Sequence, residues 1–94
     1  IYPHQHKILY PALGLAGEAG EVANKVKKLI RDGPDNRPDT WREDIASEIG
    51  DVLWYCAALA TDLNLTLGMI AAQNEKKLSK RKRDGTIGGS GDTR

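Results

Sequence analysis

The sequence predicts an all-α fold, an antiparallel helical bundle. Apolar residues recur at steps of three and four through long stretches, no stretch alternates convincingly with the period of two expected of a half-buried strand, and Pro or Gly clusters separate the periodic segments. With 94 residues and 10.3 kDa, the chain is expected to form one domain spanning residues 1–94. Within it we expect an N-terminal segment over about residues 1–10, a helical core over 11–83 and a Gly-rich tail over 84–94. Only 39% of residues are hydrophobic and none is Phe. A lone chain of this size buries about 60–65% of its surface, so oligomerisation is expected to complete the core.

The elements follow in order. Ile1 to about Tyr10 has mixed composition, and a short helix there is expected to end or kink at Pro11. The first long helix runs from about Pro11 to Arg31, with Leu15, Ala19, Val22, Val26 and Leu29 at the helical period, and Asp32-Gly33-Pro34 stops it. Asp39 or Thr40 is a candidate N-cap for a second, carrying Ile45, Ile49, Val52, Cys56, Leu59 and Leu63 and ending near Asn64. Thr66 caps a third with Leu67, Ile70, Ala71, Asn74 and Leu78. The run DGTIGGSGDTR reads as a flexible linker or tail rather than a phosphate-cradling loop.

Fourteen Lys and Arg balance thirteen Asp and Glu, so the formal charge of +1 gives no bulk reason to expect nucleic acid or an acidic membrane as partner. The sum conceals an asymmetry: six of the eight residues between Lys76 and Arg83 are basic, leaving 8 basic against 13 acidic residues elsewhere. A single cysteine excludes an internal disulfide and suits a reducing cytoplasm. No stretch approaches the roughly 20 apolar residues of a membrane span, and the start IYPHQHKILY lacks a signal peptide's apolar run. A soluble, cytoplasmic protein is expected.

Four carboxylates carry the chemistry. Glu18 and Glu21 form E-x-x-E on the first long helix; Glu48 and Asp51 form E-x-x-D on the second. With Leu15 and Ile45 set to zero, at about 100° per residue, Glu18 and Glu48 both lie near −60° and Glu21 and Asp51 both near −120°. Each pair occupies the shoulder of an apolar stripe. If the chain reverses near Gly33–Pro38, Glu21 lies about 15 Å before the first helix ends and Glu48 about 12 Å after the second begins, so antiparallel packing brings both pairs to one level. Four crowded carboxylates repel and need cations, and an all-oxygen donor set favours Mg²⁺, with Mn²⁺ as substitute. The bland alternative is a solvated face with i,i+4 contacts such as Glu21 with Lys25. Gly14, Gly17, Gly20 and Gly50, costly inside helices, suggest close backbone approach beside the carboxylates.

The run ALGLAGEAGEVANKVKK, the later EIGDVLWY and the stretch NEKKLSKRKRDGTIGGSGD resemble the MazG-like all-α nucleoside triphosphate pyrophosphohydrolases, in their compact phage or mobile-element form. The resemblance covers about Leu13 to Asp92. It implies hydrolysis of a nucleoside triphosphate between its α and β phosphates, giving the monophosphate and pyrophosphate with Mg²⁺, in a homodimer or a homotetramer built as a dimer of dimers. It implies a house-cleaning role in nucleotide pools. Glu18, Glu21, Glu48 and Asp51 match the family's metal ligands, Lys77 and Arg81 its phosphate-contacting basic residues, and Asn74 a polar position near the nucleotide. The place one turn before E-x-x-D, often basic in the family, holds Asp44 here, with Arg42 nearby.

The residues support a phosphate role on their own terms. On the third helix Leu67, Asn74, Leu78 and Arg81 lie within about 40° of one line, with Lys77 on its shoulder, while Lys76, Lys80 and Arg83 point elsewhere. A triphosphate needs both metal and cationic side chains. In that scheme Glu21 and Glu48 are both candidates for the base. Trp54, near 180° on its helix, is expected to face a subunit or solvent. Tyr55 shares the carboxylate shoulder, Trp41 reads as a packing anchor and Cys56 as core, and His4 and His6 read as solvated. The rival function is a non-enzymatic helical nucleic-acid-binding module using the basic run 76–83. A third is a helical interaction module whose carboxylates form only surface links.

Overall fold

The computed structural model describes residues 2–85, so Ile1 and the Gly-rich run from Thr86 onward lie outside the described residues. Three helices account for most of the chain: α1 over Leu9–Asp32, α2 over Trp41–Asp62 and α3 over Leu67–Asp84, with short 3-10 turns at His4–His6 and Pro34–Asn36. There is no strand among the described residues. The all-α expectation holds.

The N-terminal expectation is corrected. Pro11 neither ends nor kinks a helix; it is the third residue of α1 and is fully buried. The first four amides of a helix have no intrahelical acceptor, so Pro's missing N–H costs nothing there. What precedes it is a 3-10 turn. That turn is tied to the far end of α2 by Asp62, whose carboxylate accepts the Tyr2 hydroxyl and the Ile8 N–H, each at 2.8 Å. The Ile8 bond holds a β-branched residue at φ 69°, a conformation such residues rarely adopt. Tyr2 also stacks on Tyr10, ring centroids 4.8 Å apart.

Gly33, at φ 80°, ends α1, its N–H bonded to the Leu29 carbonyl at 3.1 Å. The chain then reverses, and α2 starts after Thr40, one of the two expected caps. Its hydroxyl donates to the Asp44 carboxylate at 3.1 Å rather than accepting a backbone amide. α1 and α2 pack as a hairpin, the main tertiary contact of the chain. Towards its open end the Tyr55 ring lies against the backbone of Gly14, where a methyl group would collide with the ring. Nothing comes within 4 Å of a methyl built at Gly17, Gly20 or Gly50, so the expected close approach is realised within this chain only at Gly14.

α2 ends at Asp62, and Asn64 turns the chain at φ 61°. Thr66 caps α3 as expected, accepting the Met69 N–H at 3.1 Å, and Gly85 closes it at φ 73°. The axis bends by 95° between α2 and α3. Every α3 residue except Arg81 is exposed. The radius of gyration is 17.0 Å, against about 12 Å for a compact domain of this length. Among the described residues only Pro11 and Ala60 are buried, while Leu53, Trp54, Leu67, Met69, Ile70 and Leu78 stay exposed. No single helix among the described residues is long and apolar enough to cross a membrane.

Candidate functional site: a carboxylate cluster on the helical hairpin

The hairpin does for the carboxylates what their common phase requires. Glu18 on α1 and Glu48 and Asp51 on α2 each present an oxygen, and these oxygens all lie within 4.8 Å of one another. Glu18 and Glu48 are half-buried and Asp51 is exposed. Glu21, one turn further along α1, is exposed and outside this triplet, yet its charge acts on Glu18. Partial burial, then the charges of Asp51, Glu48 and Glu21, raise the Glu18 pKa above the ordinary carboxyl range. No lysine or arginine figures among the causes of that shift.

Among the described residues none of the four carboxylates makes an ion pair with Lys or Arg, whereas Arg31 and Asp32 pair at 2.8 Å at the end of α1. Three uncompensated carboxylate oxygens at this separation fit a divalent cation. The donors are all hard oxygens, they come from two helices held rigidly together, and the local charge is unbalanced.

A family model describing the MazG nucleotide pyrophosphohydrolase domain matches residues 6–86. The chain belongs to this family. A relative, Gene 37 protein of Mycobacterium phage L5, is 48% identical over 85 residues, covering 90% of this chain and 75% of that protein. No solved structure matches the chain. Membership puts the clustered carboxylates inside a domain family of nucleotide pyrophosphohydrolases, with the compact phage form in keeping with the phage relative.

Two of the residues expected to meet the nucleotide line a groove of their own. Asn74 and Lys77 line an open groove with Leu53, Leu67, Ile70, Ala71 and Gln73, and no carboxylate lines it. Arg81 is the half-buried exception on α3. Thus the structure gathers Glu18, Glu48 and Asp51, leaves Glu21 at the edge, and gives Asn74 and Lys77 to a separate surface. Tyr55, on the carboxylate shoulder by its phase, packs on Gly14 and meets Trp54 edge-on at 5.0 Å. Trp54 is 48% exposed, in keeping with its phase. Cys56 is a half-buried free thiol in α2, and His4 and His6 are exposed.

Two features escaped the sequence reading. The tie from Asp62 to Tyr2 and Ile8 joins residues 60 and 54 positions apart, and nothing local signals it. A cleft between the end of α1 and the start of α2, lined by Lys25, Lys28, Leu29, Arg37, Trp41 and Asp44 among others, was findable. Counted as before, Lys25, Leu29, Trp41 and Asp44 fall between about −40° and −100°, the shoulder that carries the carboxylates.

Proposed function

We propose that the protein is a Mg²⁺-dependent nucleoside triphosphate pyrophosphohydrolase that converts an NTP or dNTP to its monophosphate and pyrophosphate and so clears nucleotides from the pool. The observation that carries this reading is the set of three carboxylate oxygens within 4.8 Å on two helices of a MazG domain. Glu18, Glu48 and Asp51 would hold the metal, with Mn²⁺ a workable substitute for Mg²⁺. When bound, the ion supplies Lewis-acid activation of phosphate oxygens and lowers the pKa of water.

The chain's own groups do the rest. Glu21, beside the triplet and exposed to solvent, can receive the proton of the attacking water; Glu48 is the other candidate for that role. Lys77 and Arg81 neutralise the phosphates and Asn74 contacts the nucleotide. Because α3 diverges by 95° from α2, these residues reach the carboxylates of a second copy rather than their own. A homodimer, or a pair of such dimers, brings the two halves of the site together and covers the exposed apolar surface of α2 and α3.

The test is a panel of NTPs and dNTPs with Mg²⁺, scoring pyrophosphate and orthophosphate separately. Pyrophosphate with equimolar monophosphate is expected; orthophosphate as sole product excludes α–β cleavage. The competing role of the basic run as a nucleic-acid footprint predicts steeply salt-dependent DNA or RNA binding that survives Glu18→Gln.

A further inference from the structure

We propose that the back of α3 lays Lys76, Lys80 and Arg83 along the phosphate backbone of double-stranded DNA, a binding surface separate from the hydrolytic site. With Lys76 set to zero, at about 100° per residue, Lys80 lies near 40° and Arg83 near −20°, so the three make one stripe about 10 Å long. Lys77 and Arg81 lie about 100–140° round the helix, and Leu67, Ile70 and Leu78 are on that far side with them. The face assigned to the nucleotide and to a second copy is therefore not the face that carries the stripe. All three side chains are exposed, and among the described residues none of them enters a salt bridge.

Two simpler accounts of the stripe fall short. Cations suit the C-terminal end of a helix dipole, but that effect is confined to the last turn, which Arg81, Lys82 and Arg83 already occupy. Lys76 and Lys80 stand before it. A solvated helix face is steadied by acids three or four residues from each base, yet Lys76 meets Lys80 at i,i+4 and Lys80 meets Arg83 at i,i+3, both like-charge pairs that cost stability. Asp84, four residues after Lys80, is the single acid within that reach of the stripe. A polyanion relieves the repulsion. B-form DNA carries a charge about every 3.4 Å along each strand, so a stripe about 10 Å long meets about three phosphates. The rest of the helix favours this occupant over other polyanions. No aromatic side chain occurs between Leu67 and Asp84, so nothing there stacks on single-stranded bases. Between Lys76 and Arg83 the one apolar residue is Leu78, on the other face, so nothing beside the stripe inserts into an anionic membrane. The whole-chain charge of +1 does not decide contacts this close, because charges beyond about 8–10 Å are largely screened at physiological salt.

The experiment follows the fluorescence anisotropy of a labelled DNA duplex of arbitrary sequence, titrated with the full chain in metal-free buffer from about 50 to about 200 mM salt. The expected result is binding that is indifferent to sequence, with a Kd of about 10⁻⁴–10⁻⁶ M and a log–log salt slope of about −3 per chain. Lys76→Gln, Lys80→Gln and Arg83→Gln combined, which keep helix propensity, weaken the affinity at least about tenfold, and each change alone takes about one unit off the slope. Pyrophosphate release by the triple variant, measured with Mg²⁺, stays at the parental level, which also shows that it folds. Lys77→Gln, on the nucleotide face, lowers turnover and leaves duplex affinity within about twofold. That split separates this surface from the rival role, in which the whole run 76–83 serves nucleic acid in place of catalysis. No binding by the parent at about 50 mM salt, undiminished binding by the triple variant, tighter binding of a single strand, or equal displacement of the duplex by anionic lipid vesicles overturns the assignment. Duplex binding through the stripe without any pyrophosphate release sinks the proposed function and leaves this surface standing.

Discussion

The α1–α2 hairpin and α3 were equally readable as helices, yet they are held in opposite ways. The hairpin is locked by long-range contacts: Tyr55 on Gly14, and Asp62 on Tyr2 and Ile8. It gathers three acids from two helices. α3 has a side-chain N-cap and a left-handed C-cap, and packs only lightly on α2. Its last turn carries Arg81, Lys82 and Arg83, where cations suit the helix dipole. One chain thus brings the acids together by itself, and the proposal assigns the basic half to a second copy. Charge that balances over the whole sequence is unbalanced at each location.

The largest effect expected is on the hairpin side. Asp51→Asn or Glu48→Gln should lower Mg²⁺-dependent pyrophosphate release by at least about a hundredfold, since even residues behind metal ligands commonly cost ten- to a hundredfold. Retention of normal turnover in both variants would falsify the site.

On the α3 side, Lys77→Ala or Arg81→Ala should weaken turnover about tenfold, mainly through KM. The sharper measurement is complementation. Mixed Asp51→Asn and Lys77→Ala chains, dissociated and reassembled, should exceed the activity of either parent at substrate well below KM, because one site in a mixed dimer receives both intact halves. No recovery, with mixed dimers verified by mass, means that α3 serves its own chain.

The glycines separate packing from open space. Gly14→Ala drives a methyl into the Tyr55 ring and should destabilise by about 1–3 kcal/mol in denaturant titration. Gly17→Ala meets nothing within 4 Å and should stabilise the isolated chain by up to about 1 kcal/mol through helix propensity. A Gly17→Ala protein that is more stable but assembles poorly would place the second copy against that face.

The smallest effects are in acid, and they have opposite signs. Hydrogen bonds from Ile8 and Tyr2 hold the Asp62 pKa below its ordinary value, after burial has pulled the other way. Its stabilisation is present above the ordinary carboxyl pKa of about 4 and is lost as pH falls through the lowered folded value. Glu18 is raised, so in the metal-free protein its ionisation opposes folding, and stability from this group increases as pH drops through its raised value. Thermal melts from pH 3 to 7 should show Asp62→Asn weaker than the parent at pH 7 and converging with it in acid. Glu18→Gln should be at least as stable as the parent at pH 7 without metal, and should lose the Mg²⁺-dependent rise in Tm.

Much of the fold was legible because helix signals are local. The three helices, the stop at Gly33 and the Thr66 cap follow from periodicity and capping chemistry within a few residues. The phase match of Glu18 with Glu48 anticipated a cluster that the hairpin does form. Pro11 was misread because a breaker in mid-helix and a residue tolerated in a first turn look alike when the helix start is set by a tertiary tie. Gly17, Gly20 and Gly50 were read as contacts, but a helical glycine marks room for an approach without naming what approaches. Glu21 shares its phase of about −120° with Asp51, yet Asp51 joins the triplet and Glu21 stands beside it, so angular phase alone does not decide which acids meet.

By itself the sequence determined which segments are helical, which residues carry charge, and the shared angular register of the E-x-x-E and E-x-x-D pairs, because each depends on backbone geometry repeating every 3.6 residues. The tertiary structure alone decided that Glu18, Glu48 and Asp51 meet while Asn74 and Lys77 line a separate groove, that Trp41 walls a cleft on the carboxylate face, and that Asp62 anchors the N-terminal turn. Those outcomes depend on how the chain reverses at Gly33 and bends at Asn64. Two turns of a few residues set the direction of whole helices, and periodicity along a helix carries no information about the angle at which the next one leaves.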